Sequence, residues 1–363
     1  MSSGPLADLT VVEFAGLGPG PYAAMLLADM GATVIRIERP DAPPAPAAAI
    51  SQRGRAQRYT ADLKNPDDLA AVRKLLLNAD ALIEGFRPGT MERLGLGPEH
   101  LLKDNPRLVY GRVTGWGQTG PLKSTAGHDI NFIAITGALA AIGPPERPIA
   151  PLNLIGDFAG GSIFLVSGML AAVMAARRTG HGQVVDAAMC DGVVSLMTII
   201  HEMVAHGEWT EAREANIFDG GAPYYGIFEC ADGKHLSVGP LEEPFFVRLC
   251  NAIGLAPPPD REDRSRWPAL RSTLENIFKT RTRDAWAALL EQGDHCVSPV
   301  LSNAEAPRHA HLAARGSFIE LDGVIQAGPA PRFSRDHTHP RSGVREAVPI
   351  ARATAPAAGS LPT

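Results

Sequence analysis

Short apolar, β-branched runs alternate with segments of helical periodicity through the first third of the chain. In PDDLAAVRKLLLN, residues 66–78, apolar residues recur at i, i+3, i+4 and i+7, and two aspartates stand in the first turn. The predicted strands are Thr10–Ala15, Thr33–Glu38, Arg58–Asp62, Ala81–Gly85 and Leu108–Thr114. Alternating strands and helices form a parallel, doubly wound sheet, so the predicted fold class is α/β. The proline-rich stretch Pro40–Ala49 is predicted to be an irregular loop.

A different pattern begins near residue 206. The polar, glycine-bearing segment GEWTEAREANIFDGGAP reads as a connection between domains, and YYGIFECADGKHLSVGP predicts a β-hairpin. The helices predicted after it are about Pro244–Ile253, Pro268–Phe278 and Arg283–Glu291. This order indicates a second, small α+β domain. From about Ser334 onward the chain is rich in Pro, Ala and Arg without periodicity, which predicts an irregular tail.

Composition and charge narrow the function classes. The net charge of −5 gives no electrostatic case for nucleic acid or an anionic membrane as the main partner. The four cysteines form no C-x-x-C pair, which argues against structural zinc and disulfides and for a reducing compartment. The N-terminus lacks the features of a secretory signal, and the apolar run Gly161–Ala176 is too short to span a bilayer. A cytoplasmic location is therefore expected.

The opening segment VVEFAGLGPGPYAAMLLADMGATVIRIERP begins like a dinucleotide-binding fingerprint. Gly16, Gly18 and Glu38 fit that pattern, but Pro21 stands where the third glycine is required. Basic residues are dense nearby: Arg36, Arg39, Arg53, Arg55, Arg58 and Lys64. A solvated basic face and a contact surface for an anionic ligand both explain this density.

Three positions carry candidate acid–base chemistry. His128 stands at the predicted start of an apolar helix, Asp157 at the predicted N-cap of a long buried helix, and Asn153 four residues before Asp157. Glu242 and Glu243 lie between a predicted strand and helix of the second domain. Each has a structural interpretation as a cap or a helix start. Together they also supply a base, an acid and, at the helix start, backbone N–H groups for an oxyanion, the set that proton transfer at carbon requires.

Several blocks resemble α-methylacyl-CoA racemases of the family III CoA-transferase superfamily. They are GHDINF, PLNLIGDFAGG, GHGQVVDAAM, DGGAPYY, CADG and CVSPVL, with TADLK, GFRPGTMERLGLG and the opening segment before them. The likeness covers about residues 5–333. It implies a large Rossmann-like domain that binds coenzyme A, a small α+β domain and a homodimer of two interlocked chains. The expected boundaries are 1–200 for the large domain, 201–222 for a linker, 223–305 for the small domain, 306–333 for a return to the large domain and 334–363 for the tail.

The resemblance also implies residue roles. His128, assisted by Glu242, and Asp157, oriented by Asn153, would transfer the α-proton of a 2-methylacyl-CoA thioester on opposite faces of an enolate. The backbone N–H at the Asp157 helix start would hold the thioester oxygen. The expected coenzyme A contacts are Arg36, Arg39, Lys64, Arg87 and Arg93. No metal or organic cofactor is expected, because the thioester already acidifies the α-proton and coenzyme A arrives with the substrate.

The sequence departs from the family pattern at several places, two of which concern the predicted site. Phe132 stands where relatives carry Tyr, and adjacent Glu242 and Glu243 stand where the pattern has one Glu, with Glu242 preferred. An apolar surface for the acyl chain is expected from Ile130, Phe132, Ile133 or Leu154.

Three other functions stay open. In a family III CoA-transferase, Asp157 would attack the thioester and form a mixed anhydride. A non-catalytic CoA-binding protein is a further alternative. An NAD-dependent dehydrogenase is disfavoured by Pro21.

Overall fold

The computed structural model describes residues 4–43, 50–336, 340–342 and 346–353. Residues 44–49 of the loop predicted at Pro40–Ala49 and part of the predicted tail lie outside the described residues.

Strands and helices follow one another along the chain. The strands are β1 Thr10–Phe14, β2 Thr33–Glu38, β3 Arg55–Thr60, β4 Ala81–Glu84, β5 Val109–Thr114, β6 Val184–Ala188, β7 Gly226–Glu229, β8 His235–Val238, β9 Val297–Pro299, β10 Phe318–Leu321, β11 Val324–Ala327 and β12 Val348–Pro349. The α-helices are α1 Pro19–Asp29, α2 Pro66–Leu76, α3 Thr90–Arg93, α4 Pro98–Asp104, α5 Asp129–Ala134, α6 Ala138–Ala141, α7 Phe164–Thr179, α8 Met189–Leu196, α9 Thr198–Ala205, α10 Glu243–Ile253, α11 Trp267–Phe278, α12 Arg283–Leu290 and α13 Ala310–Ala314. A π-helix, Leu154–Ile163, continues directly into α7.

The chain divides into two compact units. The first takes the residues up to Thr136, Pro151–Leu196 and the residues from Ala310 onward, and the second takes Gly137–Ala150 and Met197–His309. The segment 137–150 thus belongs with the second unit, although sequence analysis assigns it to the large domain. Arg213 accounts for this placement, because its guanidinium donates to the carbonyls of Ala140, Pro144 and Pro145.

The first unit is built on a seven-stranded sheet whose pairings are all parallel, in the order β12-β3-β2-β1-β4-β5-β6. Successive residues of β1 point to opposite faces, so Val11 joins the core under α1 and α7 while Val12 joins the core under α2. The chain runs outward from β1 to β3 and then returns to β4 on the other side of β1. Such a reversal of strand order opens a ligand crevice at the carboxyl ends of the strands. The α/β fold predicted from the sequence is confirmed.

Two strands of the sheet, β6 and β12, are not predicted from the sequence. β6 is an edge strand whose residues Val184 and Asp186 are exposed, so it lacks the continuous apolar run of a central parallel strand. β12 lies in the tail predicted to be irregular, yet it pairs with β3, and Ile350 directly after it is buried in the core.

Buried ion pairs join the strands to the helices and to the C-terminal hairpin. Glu13, on the central strand β1, is fully buried and pairs with Arg36 of β2 and Arg55 of β3. Arg53 pairs with Asp29 of α1 and also donates to Gln326 and Ala327 on β11. The C-terminal return to the sheet is therefore held by a buried guanidinium.

The π-helix and α7 together form a helical stretch of 26 residues, Leu154–Thr179. Within the described residues it is the one helix long and apolar enough, by length and composition alone, to cross a membrane. The sequence analysis took a shorter run as the helix and judged it too short to span. Core helices pass the same test, and one face of α7 packs Leu165, Met169 and Val173 into the core of the sheet.

The second unit carries the predicted hairpin. β7, β8 and β9 form an antiparallel sheet that packs against α10, α11 and α12. Phe228, Phe278 and Trp286 stack in its core. The three helices begin and end within one residue of their predicted bounds.

Candidate active site

A cavity of about 890 Å³ opens at the carboxyl ends of β1, β2 and β3. Its wall includes the loop after β1, Gly16 and Leu17, the end of β2 with Arg39, and Lys64 after β3. Arg39 and Lys64 are exposed cations, and Arg39 pairs with Asp41 at the surface. The cavity therefore joins apolar walls to exposed positive charge, which suits a ligand with a flat apolar part and anionic groups.

Arg36 lines the same cavity but is already neutralised. It is 5 % exposed, and its guanidinium donates to Glu13 at 2.5 Å and to Glu38 at 3.2 Å. Glu38 in turn accepts from Arg58 at 2.6 Å. Arg36 thus links β1 and β2 through buried ion pairs, with or without a ligand. The Glu38 carboxylate already accepts hydrogen bonds from two guanidiniums, so it is poorly placed to bind a ribose hydroxyl as well.

Arg87 and Arg93 lie apart from this group. Both are exposed and neither lies among the residues that line the cavity. Arg93 donates to Thr90, which does line it. Their predicted contacts with coenzyme A stay predictions, as do those of Arg36, Arg39 and Lys64.

Asp157 was predicted to be the N-cap of the long helix, and this prediction is wrong. That position is taken by Asn153, and Asp157 lies in the first turn of the π-helix that Asn153 begins. The wider winding of a π-helix, a conformation often found at functional sites, is not visible in the apolar pattern. Asn153 Nδ2 donates to Asp157 Oδ2 at 3.1 Å, so the predicted pairing of these two side chains is present.

The electrostatic surroundings of Asp157 favour a proton-transfer group. Partial burial raises the pKa of its carboxyl above the ordinary value, and the nearby charge of Asp129 adds to the rise. The hydrogen bond from Asn153 and the closeness of His128 lower the pKa in part. His128 and Asp157 thus lie within electrostatic range of each other.

His128 stands at the N-cap position of α5 and is exposed. Its backbone N–H donates to Oδ1 of Asn131 at 3.0 Å, so the first turn of α5 is capped by the asparagine. The loop after β1 approaches the carboxylate of Asp157, because a Cβ on Gly18 would lie 3.3 Å from Asp157 Oδ2. Gly18 directly follows Leu17 of the cavity wall. The cavity and the carboxylate therefore adjoin at this loop.

One of the N–H groups expected at this helix start is occupied. The backbone N–H of Asp157 donates to Oδ2 of Asp129 at 2.7 Å. Gly160 and Gly161, which follow in the same helical stretch, are buried, and their α-carbons face Met189 and Val193 of α8. The glycines serve close helix packing at this point.

Glu242 and Glu243 lie in the second unit and are both exposed. Glu242 is the N-cap of α10, and its charge acts on Cys296 in the CVSPVL block. Glu243 faces a different hollow, lined by Arg261 and residues 257–260 among others. Glu242 thus lies near the CVSPVL block whereas Glu243 faces elsewhere, and the assistance of Glu242 to His128 stays a prediction.

The four residues expected to offer an apolar acyl surface divide into two pairs. Phe132 and Ile133 are buried, with Phe132 packed edge-on against Trp116 at 4.8 Å between ring centres. Ile130 and Leu154 are exposed. Only the second pair is available to a ligand.

Two residues of the site escaped sequence reasoning. Asp129 was hidden by its place at the start of an apolar helix, where an acidic residue is ordinary. Ser162 is fully buried, and its hydroxyl lies 2.9 Å from the carbonyl oxygen of Pro19 and 3.1 Å from that of Asp157. It ties the π-helix to the start of α1. In the part of the chain that the structure describes, no group of three or more His, Cys, Asp or Glu side chains is arranged to hold a metal.

Comparisons with known proteins identify the family of this chain. The sequence pattern of CoA-transferase family III matches residues 6–352. The human protein named alpha-methylacyl-CoA racemase is 40% identical over 331 residues, which cover 90% of this chain and 86% of the human one. Acetyl-CoA:oxalate CoA-transferase of Acetobacter aceti is 30% identical over 94% of this chain and 92% of its own. A CAIB/BAIF family protein from Brucella suis superposes with a TM-score of 0.78 at 27% identity, covering 94% of this chain and 96% of that one.

Proposed function

We propose that this chain, which belongs to CoA-transferase family III, is an isomerase of 2-methylacyl-CoA thioesters. It interconverts the (R) and (S) forms by 1,1-proton transfer. The observation that carries this proposal is the closeness of Asp157 to His128, which acts on its carboxyl electrostatically. A carboxyl group with a raised pKa lies within electrostatic range of an exposed imidazole, at the loop that also borders the cavity.

The proposed reaction needs two proton-transfer groups and no other reagent. One of Asp157 and His128 takes the α-proton, and the electron pair of the C–H bond forms the enolate, whose charge rests on the thioester oxygen. The other group returns a proton to the opposite face of the α-carbon. A carboxyl whose pKa is raised toward neutrality is both a stronger base and an acid available at higher pH, so the environment of Asp157 suits either direction.

The cavity supports the substrate class. Coenzyme A carries an aromatic base and phosphates, and the cavity has the walls of Phe14 and Phe86 together with the exposed cations Arg39 and Lys64. The thioester would leave the cavity at Leu17 and reach Asp157 past Gly18. Ile130 and Leu154 would then offer the acyl chain its apolar contact.

A CoA-transferase is the second candidate, favoured by the Acetobacter relative and by the partly exposed carboxylate of Asp157. Its nucleophile would be the same Asp157. His128 separates the two functions, because proton transfer gives it a role that acyl transfer does not require.

The test uses one enantiomer of a 2-methylacyl-CoA in deuterated water with no carboxylate acceptor. Mass spectrometry follows deuterium at the α-carbon, and chiral analysis follows the other enantiomer. We expect label and epimerisation from the wild-type protein, loss of both in His128→Ala and Asp157→Asn, and no change in His100→Ala, which alters an exposed histidine on α4. A second reaction adds a free carboxylic acid, and transfer of CoA to that acid without α-deuteration in either reaction would refute the racemase and support the transferase.

We further propose an interlocked homodimer in the cytoplasm. Apolar side chains on α7 and α8 are exposed in the single chain, among them Met174, Val194 and Leu196, and their burial by a second copy would be favourable. The four cysteines are free, which fits a reducing compartment. Light scattering after size-exclusion chromatography tests the dimer, and a mass of 38.4 kDa in solution would refute it.

A further inference from the structure

Asp129 is a buried carboxylate between the two proposed proton-transfer residues. It is the first residue of α5, directly after His128, and is 6 % exposed. Its Oδ2 accepts the backbone N–H of Asp157 at 2.7 Å. Its Oδ1 is also buried and has no hydrogen-bond partner among the described residues. Burial of a carboxylate with one oxygen unsatisfied is costly, so a compensating role is expected.

The carboxylate of Asp129 lies close against the π-helix. A Cβ on Gly156, the residue before Asp157, would lie 2.6 Å from Asp129 Oδ2 and 2.9 Å from its Cγ. A side chain at position 156 would therefore force the carboxylate or the turn to move. The carboxylate therefore lies against the main chain of the turn that carries Asp157.

This contact links two segments distant in sequence. α5 begins with His128 and Asp129 as neighbours, so the main chain that presents the imidazole also presents the acceptor for Asp157. We propose that Asp129 is a positioning residue, which fixes the main chain of Asp157 relative to His128 and supplies a negative charge beside the Asp157 carboxylate. The inference rests on the proposed racemase function.

The negative charge has a measurable consequence. The charged groups that act on Asp157 are Asp129 and His128, and Asn153 donates to it from the same helical turn. Asp129 raises the pKa of Asp157, so removal of its charge lowers that pKa. In the direction of racemisation in which Asp157 is the base, the acidic limb of the kcat profile then moves to lower pH.

Two substitutions separate position from charge. Asp129→Asn keeps an oxygen that can accept the Asp157 N–H and removes the charge, whereas Asp129→Ala removes both. We expect the Ala variant to lose about 100-fold in kcat, the scale of a misplacement of about 1 Å, with KM within threefold of wild type. We expect the Asn variant to keep most of its kcat and to shift the acidic limb for one enantiomer. Asp104→Asn, an exposed carboxylate on α4, is the matched control.

Two results would overturn the inference. One is wild-type kinetics and pH profiles in both variants. The other is an equal loss in both variants with an unshifted limb, which marks a structural role only. If the Ala variant does not fold, the limb shift in the Asn variant decides.

A readout without catalysis keeps the inference apart from the proposed function. Amide hydrogen exchange at Asp157, followed by nuclear magnetic resonance, should be slow in wild type and in Asp129→Asn and should accelerate at least about tenfold in the Ala variant, since it reports the local opening of that bond. Unchanged exchange in the Ala variant refutes the positioning contact. Absence of α-deuteration by the wild-type protein refutes the racemase instead.

Discussion

Replacement of Glu13 by Gln tests how strongly the centre of the sheet depends on one carboxylate. Glu13 is fully buried and binds Arg36 at 2.5 Å and Arg55 at 2.8 Å. Arg36 retains Glu38 after the substitution, whereas Glu13 is the one carboxylate that Arg55 contacts among the described residues. One guanidinium is therefore left without a counter-charge in the core.

The expected loss in the free energy of unfolding follows from that count. Breaking a buried ion pair on one side costs about 3–5 kcal/mol, mainly because the remaining charge is stranded. With only Arg55 stranded, we expect about 3 kcal/mol at pH 7. The double variant Glu13→Gln/Arg55→Met removes the stranded charge as well, so it should recover roughly half of the loss.

The pH dependence provides a second check with a definite sign. Burial alone would raise the pKa of Glu13, but Arg55 and Arg36 outweigh it and hold the pKa below the ordinary value. A carboxyl with a lowered pKa in the folded state stabilises the protein above its unfolded pKa and loses this effect as the pH falls through the folded one. The difference between wild type and Glu13→Gln should therefore shrink as the pH falls below about 4.5.

Urea unfolding followed by far-ultraviolet circular dichroism measures these quantities, with the m value compared between variants. A loss below about 1 kcal/mol for Glu13→Gln, or strictly additive losses in the double variant, would refute the reasoning that a stranded guanidinium dominates.

Two further outcomes are expected. Burial raises the pKa of Glu84 to about 7 although Arg112 lies 2.9 Å away, so the free energy of unfolding should fall as the pH rises from about 5 to 8. In Glu84→Gln this decline, measured by urea titration, should be smaller by roughly 1–3 kcal/mol, and an equal decline in both proteins would contradict the assignment. Gly18→Ala should lower the free energy of unfolding by about 1–2 kcal/mol because its φ is +64°, and should lower kcat because the new Cβ meets Asp157 Oδ2. The control is Gly180→Ala, where φ is +79° and the space around the Cβ is open. It should show a similar loss of stability and an unchanged kcat.

The sequence predicts the central strands of the sheet well because each of them has a clear local hydrophobic pattern. β1, β2 and β4 are buried on both faces, so they read as short, mainly apolar runs between helical segments. The hairpin of β7 and β8 is equally clear, since its turn residues stand between two alternating runs. These signals are local, and the structure keeps them.

The parts of the site that the sequence does not predict depend on contacts between distant segments. The apolar pattern around Asp157 fits an α-helix and a π-helix equally, so the wider winding is not readable from it. The partner of the Asp157 N–H is 28 residues away, and nothing in the sequence near Asp129 indicates it. The ion pairs of Arg36 are hidden for the same reason, because alternating basic and acidic residues also describe a solvated strand.

The dependence of Arg53 on the C-terminal hairpin has a consequence for synthesis. Arg53 and Asp29 leave the ribosome early, but Gln326, which completes the shell of the same guanidinium, lies 273 residues further along the chain. At 5–20 residues per second, translation takes roughly 15 to 55 s to cover that distance. For that interval the β-strands of the first unit exist as an unfinished nascent domain, with the whole of Met197–His309 emerging in between. The polar shell of Arg53 is therefore completed only after the residues of the second unit have been synthesised.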